Sequence, residues 1–300
     1  MTPDKAAVMA LAEALALPEP VMEPLERAAE SLPELPLEAL AAPETAEDAW
    51  RTVSARVPLW REDGGMAQLA AALAGACHTR RAYRENGLPE ELYFSTMGCF
   101  PRFLRETHEI TGRWVFDRGF WTWRQTGGRL FRLGTLEFEY LPEGPALGVH
   151  IPSDAALSRE ELDRSYDWAE RFFAREGLVF RQGPPGEARC SSWLLAPVLE
   201  TLLPEDSGIR RFAGDYVRRA AEEDDQEFYR WLFQCETPLP PEDLPERTSL
   251  QRAAKAHLAA GGKIGAASGV LVRPGGLWMI ETADGETTGR RFTMAYRSSR

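Results

Sequence analysis

The fold is decided by the stretch RLFRLGTLEFEYLPEGPALGVHI at residues 129–151, in which apolar and polar residues tend to alternate. A period of two is typical of β-strands whose two faces differ in burial. It predicts neighbouring strands over residues 129–132 and 135–141, with Gly134 at the turn between them. A third strand is predicted over residues 147–151. A sheet therefore begins in the middle of the chain.

The chain before this stretch has a helical composition. Residues 1–112 are rich in Ala, Leu, Glu and Arg and are divided by prolines, which predicts several short packed helices. The best-defined helix covers residues 66–86 and ends at Gly87, where a left-handed cap is expected. A further helix should follow Pro89, bent or split by Pro101. Two more helices are expected over residues 4–17 and 45–57.

The chain after the third strand mixes both kinds of element. A short loop leads to a helix whose start carries a capping box, with Ser158 at the cap and Glu161 three residues later. A fourth strand is predicted over residues 188–195. Helices are then expected through Phe212, over residues 223–235 and 249–260, and strands over residues 270–296. The sequence thus predicts an α+β protein with a helical domain at residues 1–127 and a sheet domain flanked by helices at residues 128–300.

Composition excludes several classes of protein. The 300 residues carry a net charge of −11, and 44% are apolar, which excludes global disorder, collagen and disulfide scaffolds. No run approaches the ~18 apolar residues of a membrane helix, and no signal peptide is recognisable, so we expect a cytoplasmic protein without a membrane partner. The net negative charge of the chain argues against nucleic acid as a partner. Oligomeric state stays open.

Cysteine and histidine spacing gives no indication of a metal site. The four cysteines form no CxxC pair, which fits a reducing compartment, and the four histidines have no ligand spacing among themselves. We therefore expect no bound metal. Residues 80–132, by contrast, hold ten arginines against six acidic residues. This local surplus suits a small polyanionic ligand, although most of these arginines individually are typical of a solvated helical face.

The segment FDRGFWTWRQ at residues 116–125 combines aromatic residues with charged ones. In one interpretation its indoles anchor one domain on the other and Asp117 pairs with a nearby arginine. In the other interpretation its polar side chains face a cleft that binds substrate. The candidate substrate-binding residues are Asp117, Arg118, Trp121, Trp123, Arg124 and Gln125.

Two further segments offer candidate chemistry. The strand, loop and helix from residue 149 to residue 173 present a helix N-terminus directly after a strand, which favours phosphate. His150 lies in this segment. A histidine on a strand is as often a hydrogen-bonded structural residue as a catalytic one. In CSSWLL at residues 190–195, Cys190 is a candidate nucleophile, but it has no histidine at a defined spacing. A lone cysteine is more often a small buried apolar residue.

Several of these motifs together resemble a known family. In order along the chain they are FDRGFWTWRQ, RLFRLGTLEFEYL, VHIPSDA, CSSWLL and RTSLQRAAKAHLAAGG, and the similarity extends from about residue 40 to about residue 265. They resemble a bacterial family of acyltransferase-domain proteins, with an N-acyltransferase N-terminal helical domain and a GNAT-like C-terminal domain. The resemblance implies an acyl-CoA co-substrate, acetyl-CoA first, and a small-molecule amine acceptor that attacks the thioester directly.

The resemblance also implies where the co-substrate would bind. In a GNAT-like fold two parallel strands splay apart, and here these would be residues 147–151 and 189–195. The cofactor-binding residues would be Val149, His150, Ile151, Ser153, Asp154 and Ser192. Glu137 and Glu139 are candidate bases, Tyr140 is a candidate donor to the thiolate, and Cys190 completes the catalytic candidates.

The glycine-containing phosphate loop of GNAT enzymes is missing, since VHIPSDA has no glycine. The alternative is therefore a non-catalytic protein that binds a small molecule or a partner on a GNAT-like fold. If the two strands were paired along their whole length, the proposed acyl-CoA site would not exist.

Overall fold

The computed structural model describes residues 4–59, 63–141, 146–174 and 185–273. The first part of the chain is helical, as predicted. Its longest helix is almost entirely buried along its apolar side, and most of the other helices pack against it. The helices are α1 (Lys5–Ala14), α2 (Glu19–Glu30), α3 (Ala46–Arg56), α4 (Met66–Glu85), α5 (Glu90–Met97), α6 (Cys99–Thr111) and α7 (Gly119–Thr126).

Helix α4 and the α5–α6 break follow the sequence signals closely. Gly87 has a φ of 62°, the left-handed conformation expected just beyond the end of α4. The helix after Pro89 is split as predicted, but the break lies at Gly98. Pro101 lies in the first turn of α6, where its missing N–H leaves no intrahelical bond unmade.

The second part of the chain is built on a six-stranded mixed sheet. Its strands are β1 (Leu130–Leu133), β2 (Leu136–Tyr140), β3 (Ala146–His150), β4 (Glu187–Ser192), β5 (Tyr216–Glu222) and β6 (Ala266–Leu271). They are arranged in the order β1-β2-β3-β4-β6-β5. The pair β3–β4 is parallel, and the other four pairs are antiparallel.

Five α-helices of the described residues accompany the sheet. They are α8 (Arg159–Phe173), α9 (Leu199–Leu202), α10 (Gly208–Gly214), α11 (Glu227–Leu232) and α12 (Ser249–Ala259). The predicted cap of α8 is present, because the Ser158 side chain accepts a hydrogen bond from the N–H of Glu161. At α12 the cap is Thr248, which forms a reciprocal capping box with Gln251.

The strand predicted over residues 188–195 is shorter in the structure. It ends at Ser192, and residues Trp193–Leu195 form a 3-10 turn. The cause is local, since the Ser192 side chain accepts a hydrogen bond from the N–H of Leu194 and turns the chain.

The sequence did not predict β5 or most of β6. The residues of β5, YVRRAAE, are largely exposed at the sheet edge and show no apolar alternation. Those of β6 lie in a glycine- and alanine-rich run, and the strand begins before the predicted residue 270. The helix predicted over residues 223–235 covers only Glu227–Leu232. The predicted strands beyond residue 273 lie outside the described residues.

The apolar core is continuous between the two parts of the chain. Side chains from α1 to β6 form one buried cluster, and a smaller cluster joins α9, α11 and α12. The predicted boundary at residues 127 and 128 falls between α7 and β1. Within the described residues, no helix has the length and apolar character needed to cross a membrane.

Candidate active site

The parallel strands β3 and β4 separate towards their C-terminal ends. They are paired at Ala146↔Glu187, Leu147↔Ala188 and Gly148↔Arg189, and no pairing continues beyond these positions in the described strands. Val149 and His150 therefore have no partner on the β4 side, while β2 still pairs with them on the other. The gap between the predicted splayed strands is present.

A cavity of about 590 Å³ opens at this separation. One wall is the end of β3 with the loop that follows it, and another is the end of β4 with its 3-10 turn. Helix α6, the N-terminal part of α7 with the two residues before it, and helix α11 close the remaining sides. The lining mixes charged groups with the apolar side chains Phe103, Val149, Ile151, Leu157, Leu194 and Ile209.

The histidine at the end of β3 is held by a carboxylate of β2. His150 Nε2 lies 2.9 Å from Glu139 Oε2, and Arg124 Nε lies 3.1 Å from Glu139 Oε1. Burial alone would raise the pKa of Glu139. The hydrogen bond from His150 and the charges of His150, Arg124 and Arg129 outweigh burial and hold this pKa below its usual range.

Backbone register explains how this pair forms. His150 stands opposite Glu137, and Gly148 stands opposite Glu139, so that all four positions share one face of the sheet. A Cβ at Gly148 would lie 3.3 Å from His150 Nε2. Glycine at this position therefore leaves the room in which the imidazole approaches Glu139. Trp121 meets the imidazole ring edge to face, with 5.1 Å between ring centroids.

A second buried charge cluster lies beside this pair. Arg102 Nη2 donates a hydrogen bond of 2.6 Å to Glu137 Oε1, and both side chains are buried. Glu106, one turn further along α6, accepts a hydrogen bond of 2.6 Å from Ser153 in the loop after β3. Burial raises the pKa of Glu106, although Ser153, Arg118 and Arg102 partly oppose it. This cluster ties α6 to the sheet.

The polar residues before α7 connect to α11. Asp117 accepts a hydrogen bond from Thr107 at 2.9 Å and one from Arg230 at 3.2 Å. Arg118 packs against the rings of Phe103 and Trp231, with its guanidinium carbon 5.4 Å and 5.0 Å from the two ring centroids. Helix α11 thus covers the cavity through polar and ring contacts.

The structure brings most predicted site residues to the cavity. Nine of them line it: Asp117, Arg118, Trp121, Glu137, Val149, His150, Ile151, Ser153 and Ser192. Glu139 and Arg124 lie immediately behind this lining and contact His150 and Trp121 respectively. Asp154 lies outside the lining, where it pairs with Arg132 at 2.7 Å.

Four predicted residues lie away from the cavity. Trp123 and Gln125 are buried inside α7, against the helical part of the chain. Tyr140 is on the opposite face of β2, where its ring meets that of Phe173. Cys190 is buried, and burial raises the pKa of its thiol to about 12, so the thiol is protonated at neutral pH.

Two amides of the loop before α8 already donate hydrogen bonds within the protein. The N–H of Ala155 donates to the carbonyl of Pro152, and the N–H of Ala156 donates to Thr135 Oγ1 at 2.6 Å. The side chain of Ser158 already caps the helix. In the described parts of the chain no group of three potential metal ligands is present.

Sequence reasoning missed the lining residues that come from α6 and α11, which are Arg102, Phe103, Glu106, Glu227, Arg230 and Trp231. A signal for the α6 residues was available, because Arg102 and Glu106 are charged residues four apart on a helix face that is otherwise apolar. No comparable signal marks α11. Its position over the cavity depends on contacts between segments that are far apart in sequence.

Comparisons with known proteins agree with this architecture. The sequence model of the N-acyltransferase N-terminal domain family matches residues 3–128. The sequence model of the GNAT-like C-terminal domain family matches residues 130–271. Two solved structures are similar over most of the chain. A mutant acyltransferase in complex with octanoyl-CoA has 25% identity and a TM-score of 0.73, covering 91% of this chain and 89% of its own. An acyltransferase in complex with decanoyl-CoA and teicoplanin has 25% identity and a TM-score of 0.65, with coverages of 89% and 99%.

A further acyltransferase, in complex with decanoyl-CoA, has 22% identity and a TM-score of 0.69, covering 87% of this chain and 86% of its own, which supports the fold alone. No curated protein matches the chain. The matched models and the similar structures agree on a helical part followed by a GNAT-like sheet.

Proposed function

Because the chain belongs to the family that joins an N-acyltransferase N-terminal domain to a GNAT-like C-terminal domain, we propose that it transfers an acyl group from acyl-CoA to an amine. The observation that carries this proposal is the separation of β3 and β4 over a cavity lined by the ends of both strands. The free backbone edge at Val149 and His150 can pair with the amide groups of a pantetheine arm, as a further strand would.

The acyl chain has an apolar surface to contact in the same cavity. Phe103, Leu157, Leu194 and Ile209 lie on its walls, beyond the polar groups at the end of β3. Two similar acyltransferases are recorded with octanoyl-CoA and with decanoyl-CoA. Both facts support a donor longer than acetyl-CoA. Acetyl-CoA, which the family resemblance placed first, becomes the short-chain comparison.

His150 is the group that we assign to proton transfer. Ionised Glu139 can only accept hydrogen bonds, so the Nε2 atom of His150 carries the proton between them, and Nδ1 keeps its lone pair. An imidazole oriented by a carboxylate is a common general base, since the carboxylate fixes its tautomer and stabilises its charged form. Glu139 is then a positioning residue.

The reaction balances with this single proton carrier. The amine nitrogen forms a bond to the thioester carbonyl carbon, and the carbon–sulfur bond breaks. Nδ1 of His150 takes a proton from the nitrogen and returns it to the departing sulfur, which leaves as CoA thiol. No covalent enzyme intermediate is formed, and Cys190 takes no part in the step.

The test is direct acyl transfer. Octanoyl-CoA, decanoyl-CoA and acetyl-CoA are each incubated with the protein and a panel of primary amines, and amide products are measured by mass spectrometry. We expect amides from the longer donors, and no esters from the matched alcohols. Tight binding of acyl-CoA with no transfer to any amine would contradict the proposal and favour a non-catalytic binding protein.

A further inference from the structure

Arg118 is a buried guanidinium with unused hydrogen-bonding capacity. Its side chain is 11% exposed, and it packs against the rings of Phe103 and Trp231. Its Nη2 atom has no hydrogen-bond partner among the described residues. Buried charged groups in proteins are almost always hydrogen-bonded, and a donor at a cavity wall can find its partner in a ligand.

Arg118 is ion-paired with Glu106 and Asp117 but forms a hydrogen bond with neither. Glu106 Oε2 lies 3.4 Å from Nη2, and Asp117 Oδ1 lies 3.6 Å from Nε, both without the geometry of a hydrogen bond. Asp117 is also engaged by Thr107 and Arg230. The two rings limit the movement of the guanidinium. Its fork of N–H groups matches a carboxylate in two parallel hydrogen bonds.

Glu106 offers the complementary hydrogen-bond acceptor. Its side chain is 8% exposed, Oε1 accepts from Ser153, and Oε2 has no hydrogen-bond partner in the described parts of the chain. A buried acceptor and a buried donor of opposite charge thus stand side by side at the cavity wall. A ligand that carries a carboxylate and an amino group close together would satisfy both.

We propose that Arg118 binds a carboxylate of the acceptor, and that the acceptor's amino group lies beside Oε2 of Glu106. The acceptors are then amines with a carboxylate next to the amino group, which is the class of amino acids and their derivatives. This inference rests on the proposed function and names the acceptor class for the same cavity.

The charge of the cavity argues against a phosphate of CoA on Arg118. Three arginines line the cavity, Arg102, Arg118 and Arg230, and Arg102 already pairs with Glu137. Four carboxylates line it as well: Glu106, Asp117, Glu137 and Glu227. A pyrophosphate would meet this negative surplus, whereas a single carboxylate next to an amine matches one arginine next to one glutamate.

The experiment compares acids with their amides. With octanoyl-CoA as donor, acylation of leucine, phenylalanine and glutamate is measured against that of the corresponding α-amides, in the wild type and in Arg118→Gln. We expect the wild type to favour the acids at least about tenfold in kcat/KM, and Arg118→Gln to lose this preference. Arg118→Lys keeps the charge without the fork and should give an intermediate ratio.

A measurement of CoA affinity distinguishes an acceptor carboxylate on Arg118 from a CoA phosphate. Calorimetric titration with CoA should give the same affinity in the wild type, in Arg118→Gln and in Arg105→Gln, which removes an exposed arginine of α6 and is the matched control. Weakening by about tenfold or more in Arg118→Gln alone would place a CoA phosphate on Arg118 and overturn the inference.

The remaining results are also decisive. Equal turnover of acids and amides, or an acid preference that survives in Arg118→Gln, would overturn the inference. If octanoyl-CoA binds but neither acids nor amides are acylated, amino acids are excluded as acceptors while acyl transfer to other amines stands. Failure to bind octanoyl-CoA at all would instead remove the proposed function.

Discussion

The two faces of β2 bury side chains of opposite character. On one face Phe138 and Tyr140 pack against Phe173 of α8 in an aromatic cluster. On the other, Glu137 and Glu139 are just as buried but meet Arg102 of α6, and Arg124 and His150. One five-residue strand therefore has an aromatic core on one face and buried charges on the other.

The difference shows where stability and chemistry lie. Burial of aromatic side chains stabilises the fold without a need for partners. Buried charges lose their hydration. Replacing them with apolar residues of similar size often leaves a protein equally stable. The charged face is the one that meets the cavity between β3 and β4. We infer that its charges are present for binding and catalysis, and the aromatic face supports them.

The largest effect on the charged face is expected from His150→Gln. Loss of the proton carrier should lower kcat by about 10²- to 10⁴-fold, because a general base contributes that much to rate. Octanoyl-CoA affinity should stay within about twofold, which titration calorimetry checks. A kcat within about threefold of the wild type would show that another group carries the proton.

The matched change on the aromatic face is Phe173→Ala. Phe173 is 1% exposed and contacts the rings of Tyr140, Phe138 and Phe131, so truncation should lower the free energy of unfolding by about 3–5 kcal/mol. Urea unfolding measures this change. Phe120→Ala, at a residue that is 61% exposed, is the control and should change stability by less than about 0.5 kcal/mol. Similar losses in both variants would argue against the aromatic core as described.

Glu106→Gln tests the cost of the buried charge through its pH dependence. Burial raises the pKa of Glu106 in the folded state, so its ionisation opposes folding, and this cost grows as the pH rises from the ordinary carboxyl range through the raised pKa. The stability of Glu106→Gln relative to the wild type should therefore be greater at about pH 8 than at about pH 5. Urea unfolding at both values gives the sign, and the opposite trend would contradict the burial argument.

Cys190→Ala should have the smallest effect on catalysis. Its thiol is buried on β4 outside the cavity lining, and burial raises its pKa to about 12. Because no covalent intermediate is required, we expect kcat/KM within about twofold of the wild type. A loss of more than about a hundredfold, with normal octanoyl-CoA binding, would reinstate Cys190 as a nucleophile.

Local patterns were enough to predict much of the fold. The period of two in β1 and β2, the cap at Ser158 and the glycine after α4 each depend on neighbouring residues, and the structure contains all of them. Strand β5 escaped prediction because an exposed edge strand lacks the apolar alternation that burial imposes. Strand β4 was predicted too long because a side-chain hydrogen bond at Ser192 turns the chain.

The site was predictable where it follows from the sheet or from the FDRGFWTWRQ segment, which supplies Asp117, Arg118 and Trp121. Glu137, Glu139 and His150 share a face through strand alternation and register, so a sequence pattern could indicate them. Their partners on α6 and α7, and the cover by α11, arise from packing between segments far apart in the chain. The contacts of α11 leave no periodic signal, whereas the charged residues Arg102 and Glu106 on the buried face of α6 do. The role of Arg118 beside Glu106 became visible only when the geometry showed that donor and acceptor are unused.

The central claim is that acyl-CoA binds where β3 and β4 separate, and a thermal-shift titration with octanoyl-CoA tests it most directly. Ser191→Trp fills this gap, and Ala221→Trp places the same side chain at an exposed position on β5, outside the cavity lining. At about 100 times the dissociation constant, octanoyl-CoA should stabilise the wild type and Ala221→Trp by about 2.7 kcal/mol. Ser191→Trp should show no shift. An undiminished shift in a folded Ser191→Trp, or none in the wild type, would contradict the account.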